Sequence, residues 1–107
     1  MSWSRMRRWV AAVAQRLRDF DAVLMPTVPI VALRIADVGV DEEAHTSANL
    51  LVLRNPTLMN LLDGCALTLP CHRAGDAPVG VMVSGTNGPD GHILALGAAI
   101  EQLLAAD

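Results

Sequence analysis

The sequence contains no lysine: the eight basic side chains among its 107 residues are all arginine. Arginine stays protonated throughout the physiological pH range, so it cannot act as a general base. Tyrosine is also absent, and the aromatic residues are limited to two tryptophans and one phenylalanine. The hydrophobic fraction of 52% therefore comes mainly from alanine, valine, leucine, isoleucine and methionine.

This aliphatic content, with a mean hydropathy of +0.38, has two explanations. Strands of a sheet that is covered on both faces are apolar along their whole length. Alternatively, part of the apolar surface is meant to be covered by a partner or by a further part of the protein. The length favours a single domain over residues 1–107 with a modest core.

The charge and the apolar runs exclude two classes of partner. A net charge of −3 argues against nucleic-acid binding. No apolar run approaches the roughly 18–20 residues that span a bilayer, and Arg16 and Arg18 interrupt any signal-peptide core near the N-terminus. We therefore expect a cytoplasmic protein that contacts neither nucleic acid nor membrane.

The two cysteines lie six residues apart in a stretch that is predicted to be extended. At about 3.3 Å per residue, Cys65 and Cys71 would be about 20 Å apart, which is too far for a disulfide. We predict two free, buried thiols that react slowly. His72 follows Cys71, but neighbours in an extended segment point to opposite faces, so the histidine is not expected to activate the thiol.

Periodicity predicts the first elements. Apolar residues at spacings of three and four between Trp3 and Phe20 predict an amphipathic helix. The stretch 22–26 predicts a short buried strand. Residues 27–46 show no clear period, and the acidic run 41–43 is interpreted as a solvated loop or a helix start.

Two helices are predicted in the middle of the chain. Thr46 or Ser47 is a suitable cap for a first helix. Asn55 followed by Pro56 is typical of a new helix start, and Gly64 is expected to end that second helix.

The last third predicts a hairpin and a helix. Residues 65–71 and 79–85 form two apolar runs that flank a glycine-containing loop, which is typical of an antiparallel pair. Asp90 is the predicted N-cap of a final helix. The inner face comprises Ile93, Leu96, Ile100 and Leu103. The fold class is α/β, with a small mixed sheet flanked by helices.

Four stretches resemble, in order, the C-terminal portion of the amidase signature family. They are FDAVLMPTVP (20–29), LRNPTLMNLLDGCALTLPC (53–71), APVGVMVSG (77–85) and, after Asp90, ILALGAAIEQLL (93–104). The LDGCA form is similar to a subgroup of bacterial amidases and allophanate-hydrolase-like enzymes. The resemblance implies the C-terminal part of the amidase signature fold and an amide C–N hydrolase.

The resemblance does not supply a catalytic residue. Family members use a nucleophilic serine, a second serine in a cis peptide and a lysine base. This chain has no lysine, and its serines occur only at Ser2, Ser4, Ser47 and Ser84. Because a serine hydroxyl is a poor nucleophile without a base, we expect the chain to be inactive alone and assign no catalytic residue.

Arg54, Thr57 and Asn60 are the candidate substrate-binding residues, because the resemblance places their element beside the family's substrate cleft. The alternative is that they cap and pack helix ends. No metal or cofactor is expected: the three histidines lack metal-ligand spacing and are interpreted as loop residues. The run SGTNGPDG (84–91) is interpreted as a glycine-rich turn rather than an anion site.

The sequence leaves open which polypeptide covers the apolar surface. An upstream amidase segment or a second copy, most simply in a dimer, would cover unpaired strand edges and apolar faces. The chain is either a piece of an amidase, whether excised, truncated or one part of a split enzyme, or a non-catalytic binding or oligomerisation module that completes a partner chain. A small independent enzyme that uses Cys71 is the third hypothesis.

Overall fold

The computed structural model describes residues 2–86 and 88–106. These residues form four helices and three strands. In chain order the elements are α1 (Trp3–Leu17), β1 (Val23–Pro26), α2 (Ile35–Val38), α3 (Glu42–Leu61), β2 (Cys65–Pro70), β3 (Gly80–Gly85) and α4 (Asp90–Ala105).

The three strands form one sheet in the order β1-β3-β2. The predicted hairpin of β2 and β3 is confirmed, with Leu67 opposite Val83. The prediction of a mixed sheet is wrong, because β1 also runs antiparallel to β3, with Val23 opposite Ser84. Local periodicity identifies a strand but not the direction in which it joins a distant partner, so this pairing was not readable from the sequence.

Helices cover both faces of the sheet. On one face, Leu69 and Val83 pack against Ile93 of α4. On the other face, Met82 packs against Met59 and Leu62, at the C-terminal end of α3. The central strand is therefore buried on both sides, as the first explanation of the apolar content requires.

The N-terminal half of α3 differs from the prediction. Asp41 caps the helix, because its Oδ1 accepts a hydrogen bond from the backbone N–H of Ala44 (2.7 Å). The acidic run is therefore a helix start, and the predicted caps Thr46 and Ser47 lie within the helix. Acidic residues in a first turn are favourable because they face the positive end of the helix dipole.

The predicted break at Asn55 and Pro56 is also wrong, because α3 continues through both residues. A proline inside a helix removes one backbone hydrogen bond and costs about 3 kcal/mol. Two contacts offset this cost. The Asn55 side chain donates a hydrogen bond to the carbonyl of Pro26 (2.7 Å), and Met59 is buried one turn later.

Smaller differences occur at the helix ends. Helix α1 stops at Leu17, and Phe20 is exposed. The N-cap position of α4 is Pro89 and no side chain caps it, so the predicted Asp90 cap is wrong. Leu103 is exposed, and Leu104 packs toward the core instead. Helix α2 was not predicted, since four residues carry too little periodicity.

The chain is flat and expanded for its length. Its extents are 43 × 43 × 17 Å and its radius of gyration is 16.3 Å, whereas a compact domain of this length has a radius of about 13 Å. Its accessible surface is 7989 Å², against about 5,800 Å² for a compact monomer of this mass. The excess supports the second explanation of the apolar content: part of the surface is meant to be covered.

Gly64 provides a test of the join between α3 and β2. A Cβ atom there would lie 2.7 Å from the backbone oxygen of Gly85 and 2.6 Å from Cε of Met59. Gly64→Ala is therefore expected to lower the free energy of unfolding by about 1–3 kcal/mol, as measured by urea denaturation. Gly91→Ala is the matched control, because a Cβ atom at that position would meet nothing within 4 Å, and it should be neutral or stabilising. Equal stability of the two variants would contradict this packing.

Candidate functional site

A polar cluster lies where β1 ends. Thr27 follows the strand, and its hydroxyl donates to the hydroxyl of Thr68 on β2 (3.1 Å). Its backbone N–H donates to the carbonyl of Gly80 (3.1 Å). On the other side, Asn55 holds the carbonyl of Pro26. The cluster joins β1, β2, β3 and α3, and it offers hydroxyl and amide groups that can hydrogen-bond a ligand but no base.

Of the three candidate binding residues, only Arg54 joins this cluster directly. Its Nε donates to Oδ1 of Asn55 (3.2 Å), which leaves the two terminal guanidinium nitrogens for other contacts. Thr57 and Asn60 are exposed on α3. Successive residues of a helix are rotated by about 100°, so Thr57 projects about 200° away from Asn55. The structure therefore places the three on one helix without bringing them together.

Sequence reasoning missed Asn55, Thr27 and Thr68 as site residues. The contact of the threonines depends on the pairing of β1 and β2 with β3, in which Pro26 and Thr68 face neighbouring residues of β3, and this pairing was not readable from the sequence. The same holds for Asn55, whose partner is 29 positions away in sequence. Only the folded chain brings that amide to the end of β1.

The one fully buried serine in the described ranges has a structural contact. Ser84 lies on β3 with no exposed surface. Its hydroxyl donates to the carbonyl of Val23 (3.1 Å). A nucleophilic serine instead gives its proton to a base, and a backbone carbonyl cannot take that proton. Ser84 therefore ties two strands together.

A cleft of about 540 Å³ is lined by residues of α1, the start of β1, the end of β3 and the start of α4. Arg18, Asp21 and His92 are the ionisable residues of its lining. Nε2 of His92 lies 3.0 Å from the backbone oxygen of Asp21 and 3.9 Å from its carboxylate. A carbonyl oxygen only accepts, so Nε2 carries a proton in this contact, and Nδ1 is the ring nitrogen that can still accept one. The cleft thus holds polar groups without a nucleophile and base in contact.

Cys71 and His72 close the loop between β2 and β3. The thiol of Cys71 donates to the carbonyl of Val79 (3.6 Å), and the backbone N–H of Val79 donates to Nδ1 of His72 (3.2 Å). Both side chains therefore hold the same peptide segment. Cys71 is exposed and Cys65 is only partly buried, so the prediction that both thiols are buried is wrong.

Cys65 has a different environment at the start of β2. Both cysteines are free, as predicted. Burial raises the pKa of the Cys65 thiol, and the hydrogen bond and negative charge of Asp90 raise it further, although a backbone hydrogen bond from Gly85 opposes them. The thiol consequently stays protonated at neutral pH, and a protonated thiol is a weak nucleophile.

The remaining predictions concern metals and anions. His45 and His92 lie in first turns of helices rather than in loops, and His72 alone is in a loop. No group of three or more metal-binding side chains occurs in residues 2–86 and 88–106. Within the glycine-rich run before α4, Asn87 lies outside the described residues. Asp90 places a carboxylate in the first turn of α4, which disfavours a bound anion.

Comparison with known proteins decides the family. The family model for amidases matches residues 1–94. The chain belongs to the amidase family. Among relatives, it is 34% identical over 100 residues to 2-amino-5-chloromuconic acid deaminase from Comamonas testosteroni. That match covers 92% of this chain and 21% of the deaminase. No solved structure matches the chain.

Two further relatives show the same pattern of coverage. An uncharacterised protein in the nthA 5′ region of Rhodococcus erythropolis is 31% identical, over 90% of this chain and 48% of its own length. The A subunit of glutamyl-tRNA(Gln) amidotransferase from Sulfurisphaera tokodaii is 31% identical, over 82% of this chain and 18% of that relative. The chain therefore spans between about a fifth and a half of the length of these relatives.

Within its described ranges, none of the helices combines the length and apolar character needed to cross a bilayer.

The two thiols are expected to react at different rates with an aromatic disulfide reagent. Cys71 should react at once because it is exposed, whereas Cys65 should react slowly near neutral pH and faster as the pH rises toward its raised pKa. Asp90→Asn removes the carboxylate and should accelerate Cys65 several-fold at neutral pH. The unchanged rate of Cys71 in that variant is the internal control. Equal rates for both thiols in the unmodified protein would contradict this assignment.

Proposed function

We propose that this chain supplies the C-terminal part of an amide C–N hydrolase and does not hydrolyse amides by itself. The observation that carries the proposal is the absence of lysine from all 107 residues. Of the four serines, Ser84 is the only one in the sheet, and its proton is directed at the backbone oxygen of Val23. The nucleophile and the base must then come from a polypeptide that carries the rest of the family's sequence.

In the complete enzyme, the end of β1 and the second half of α3 support the substrate. Asn55 and Thr27 hold the strand end in place through backbone and side-chain contacts. Arg54 is exposed, and only its Nε is held by Asn55, so its two terminal guanidinium nitrogens are available to a substrate. A guanidinium recognises carboxylate or carbonyl oxygens through paired hydrogen bonds, which suits an amide or acid substrate. Thr57 and Asn60 contribute further polar groups one to two turns along the same helix.

The second candidate function is a non-catalytic module that binds or assembles with another chain in the cytoplasm. The exposed apolar residues of α3 favour it, because large apolar patches on a small protein mark interaction surfaces. Co-expression with the deaminase relative, shortened by its matching fifth, distinguishes the two. Co-purification with restored deamination supports completion of an enzyme, and co-purification without it supports a module.

The purified chain is expected to release no ammonia from a panel of simple amides and ureas above the buffer rate. The hydroxyl of Ser84 contacts the carbonyl of Val23 rather than a base, so serine attack lacks the activation that general-base catalysis provides, typically a factor of about 10²–10⁴. Ser84→Ala and His92→Ala serve as matched controls for contamination. Turnover that persists after repeated purification and disappears in either variant would overturn the proposal.

A further inference from the structure

We propose that the cleft between α1 and the sheet binds a small zwitterion with an apolar side chain, of the class of a free α-amino acid. The cleft has a volume of about 540 Å³, which lies within the range of about 300–1,000 Å³ that is typical of small-molecule sites. It is lined by residues at the start of β1, whereas the polar cluster of Thr27, Asn55 and Thr68 lies where that strand ends. The two sites are separate, so the proposal does not depend on the hydrolase function.

Two side chains of opposite charge line the cleft without pairing with each other. Arg18 is exposed at the end of α1, and Asp21 is exposed in the turn before β1. Within residues 2–86 and 88–106, the guanidinium of Arg18 takes part in no ion pair. The carboxylate of Asp21 lies 3.9 Å from Nε2 of His92, in the first turn of α4. The cleft therefore has a cation on its α1 side and an anion on its α4 side.

A zwitterion satisfies both charges at once. The guanidinium of Arg18 can hold a carboxylate through two parallel hydrogen bonds. The side chain of Asp21 is 87% exposed, and an ionised carboxylate accepts about four hydrogen bonds, so its contact with His92 leaves room for an ammonium group. A ligand that carried only a carboxylate would meet Asp21 as a like charge, and a simple amine would meet Arg18 in the same way. The lining thus favours a ligand that carries both charges.

The walls of the cleft suit an apolar side chain. Ala11 and Ala14 lie three residues apart on α1, so they are neighbours on one side of the helix. Their short side chains leave the space beside them open to a ligand. Phe20 also lines the cleft, and it is 69% exposed. A ligand side chain that covers this ring removes apolar surface of both molecules from water, which is favourable.

The test is a titration of the purified chain with L-leucine, followed through the NMR chemical shifts of its backbone amides. We expect a dissociation constant of about 0.1–1 mM, with shift changes at Val23 and Gly85 and none at Arg54. Two analogues isolate the charges: 4-methylpentanoate lacks the ammonium group, and 3-methylbutylamine lacks the carboxylate. Each analogue should bind at least about tenfold more weakly than leucine, because it leaves one charge of the cleft unpaired.

Charge variants with matched controls assign the two contacts. Arg18→Gln and Asp21→Asn should each weaken leucine binding about tenfold. Arg16→Gln and Asp19→Asn make the same changes of charge two residues away, outside the lining of the cleft, and should bind leucine as the unmodified chain does. The analogues add a second readout. Arg18→Gln should not weaken the binding of 3-methylbutylamine, and Asp21→Asn should not weaken that of 4-methylpentanoate.

A further variant tests the location of the site. Ala14→Leu fills the cleft without changing its charges and should abolish leucine binding. Ala12→Leu is the matched control, because Ala12 is on the same helix but does not line the cleft. Both variants should keep the circular dichroism of the unmodified chain. The proposal would be overturned by a chain that does not bind leucine, by equal binding of leucine and its analogues, by equal effects of the charge variants and their controls, or by binding that survives Ala14→Leu.

Discussion

The burial of β3 on both faces and along both edges is the constraint on which the rest of the structure depends. Both other strands pair with it, and three of the four helices contribute side chains that pack over it. Val83 and Ser84 have no exposed surface. A desolvated hydroxyl without a hydrogen-bond partner costs about 1–3 kcal/mol. The hydrogen bond from Ser84 to the carbonyl of Val23 avoids this cost, and it also fixes the register of β1 against β3.

Much of the fold was predictable because it is encoded locally. The spacing of apolar residues identified α1 and α4, and two apolar runs around a glycine loop identified the β2–β3 hairpin. The errors occur where distant residues decide the outcome. The pair Asn55 and Pro56 is typical of a helix start. In the folded chain, the hydrogen bond from Asn55 to the carbonyl of Pro26 and the burial of Met59 keep α3 continuous. The antiparallel pairing of β1 is likewise a long-range choice.

The candidate site was less predictable than the fold. Arg54, Thr57 and Asn60 were assigned by resemblance to a family. Such a resemblance indicates where an element lies in the fold, but not the direction in which each side chain points. The structure couples Arg54 to Asn55 and leaves the other two exposed. The polar contacts at the end of β1 join residues from three separated stretches, Thr27, Asn55 and Thr68. Their proximity is a property of the fold and not of any one motif.

The uneven attachment of the helices has a consequence for how the chain opens. Helix α1 has no buried residue, and it reaches the core only through the partly buried Trp9 and Val13. Regions with few buried contacts open by local fluctuation well below the energy of global unfolding. Backbone amides of α1 should therefore exchange their hydrogens with solvent while those of β3 remain protected. The N-terminal helix then behaves as a separable unit, which can be released without unfolding the sheet on which it rests.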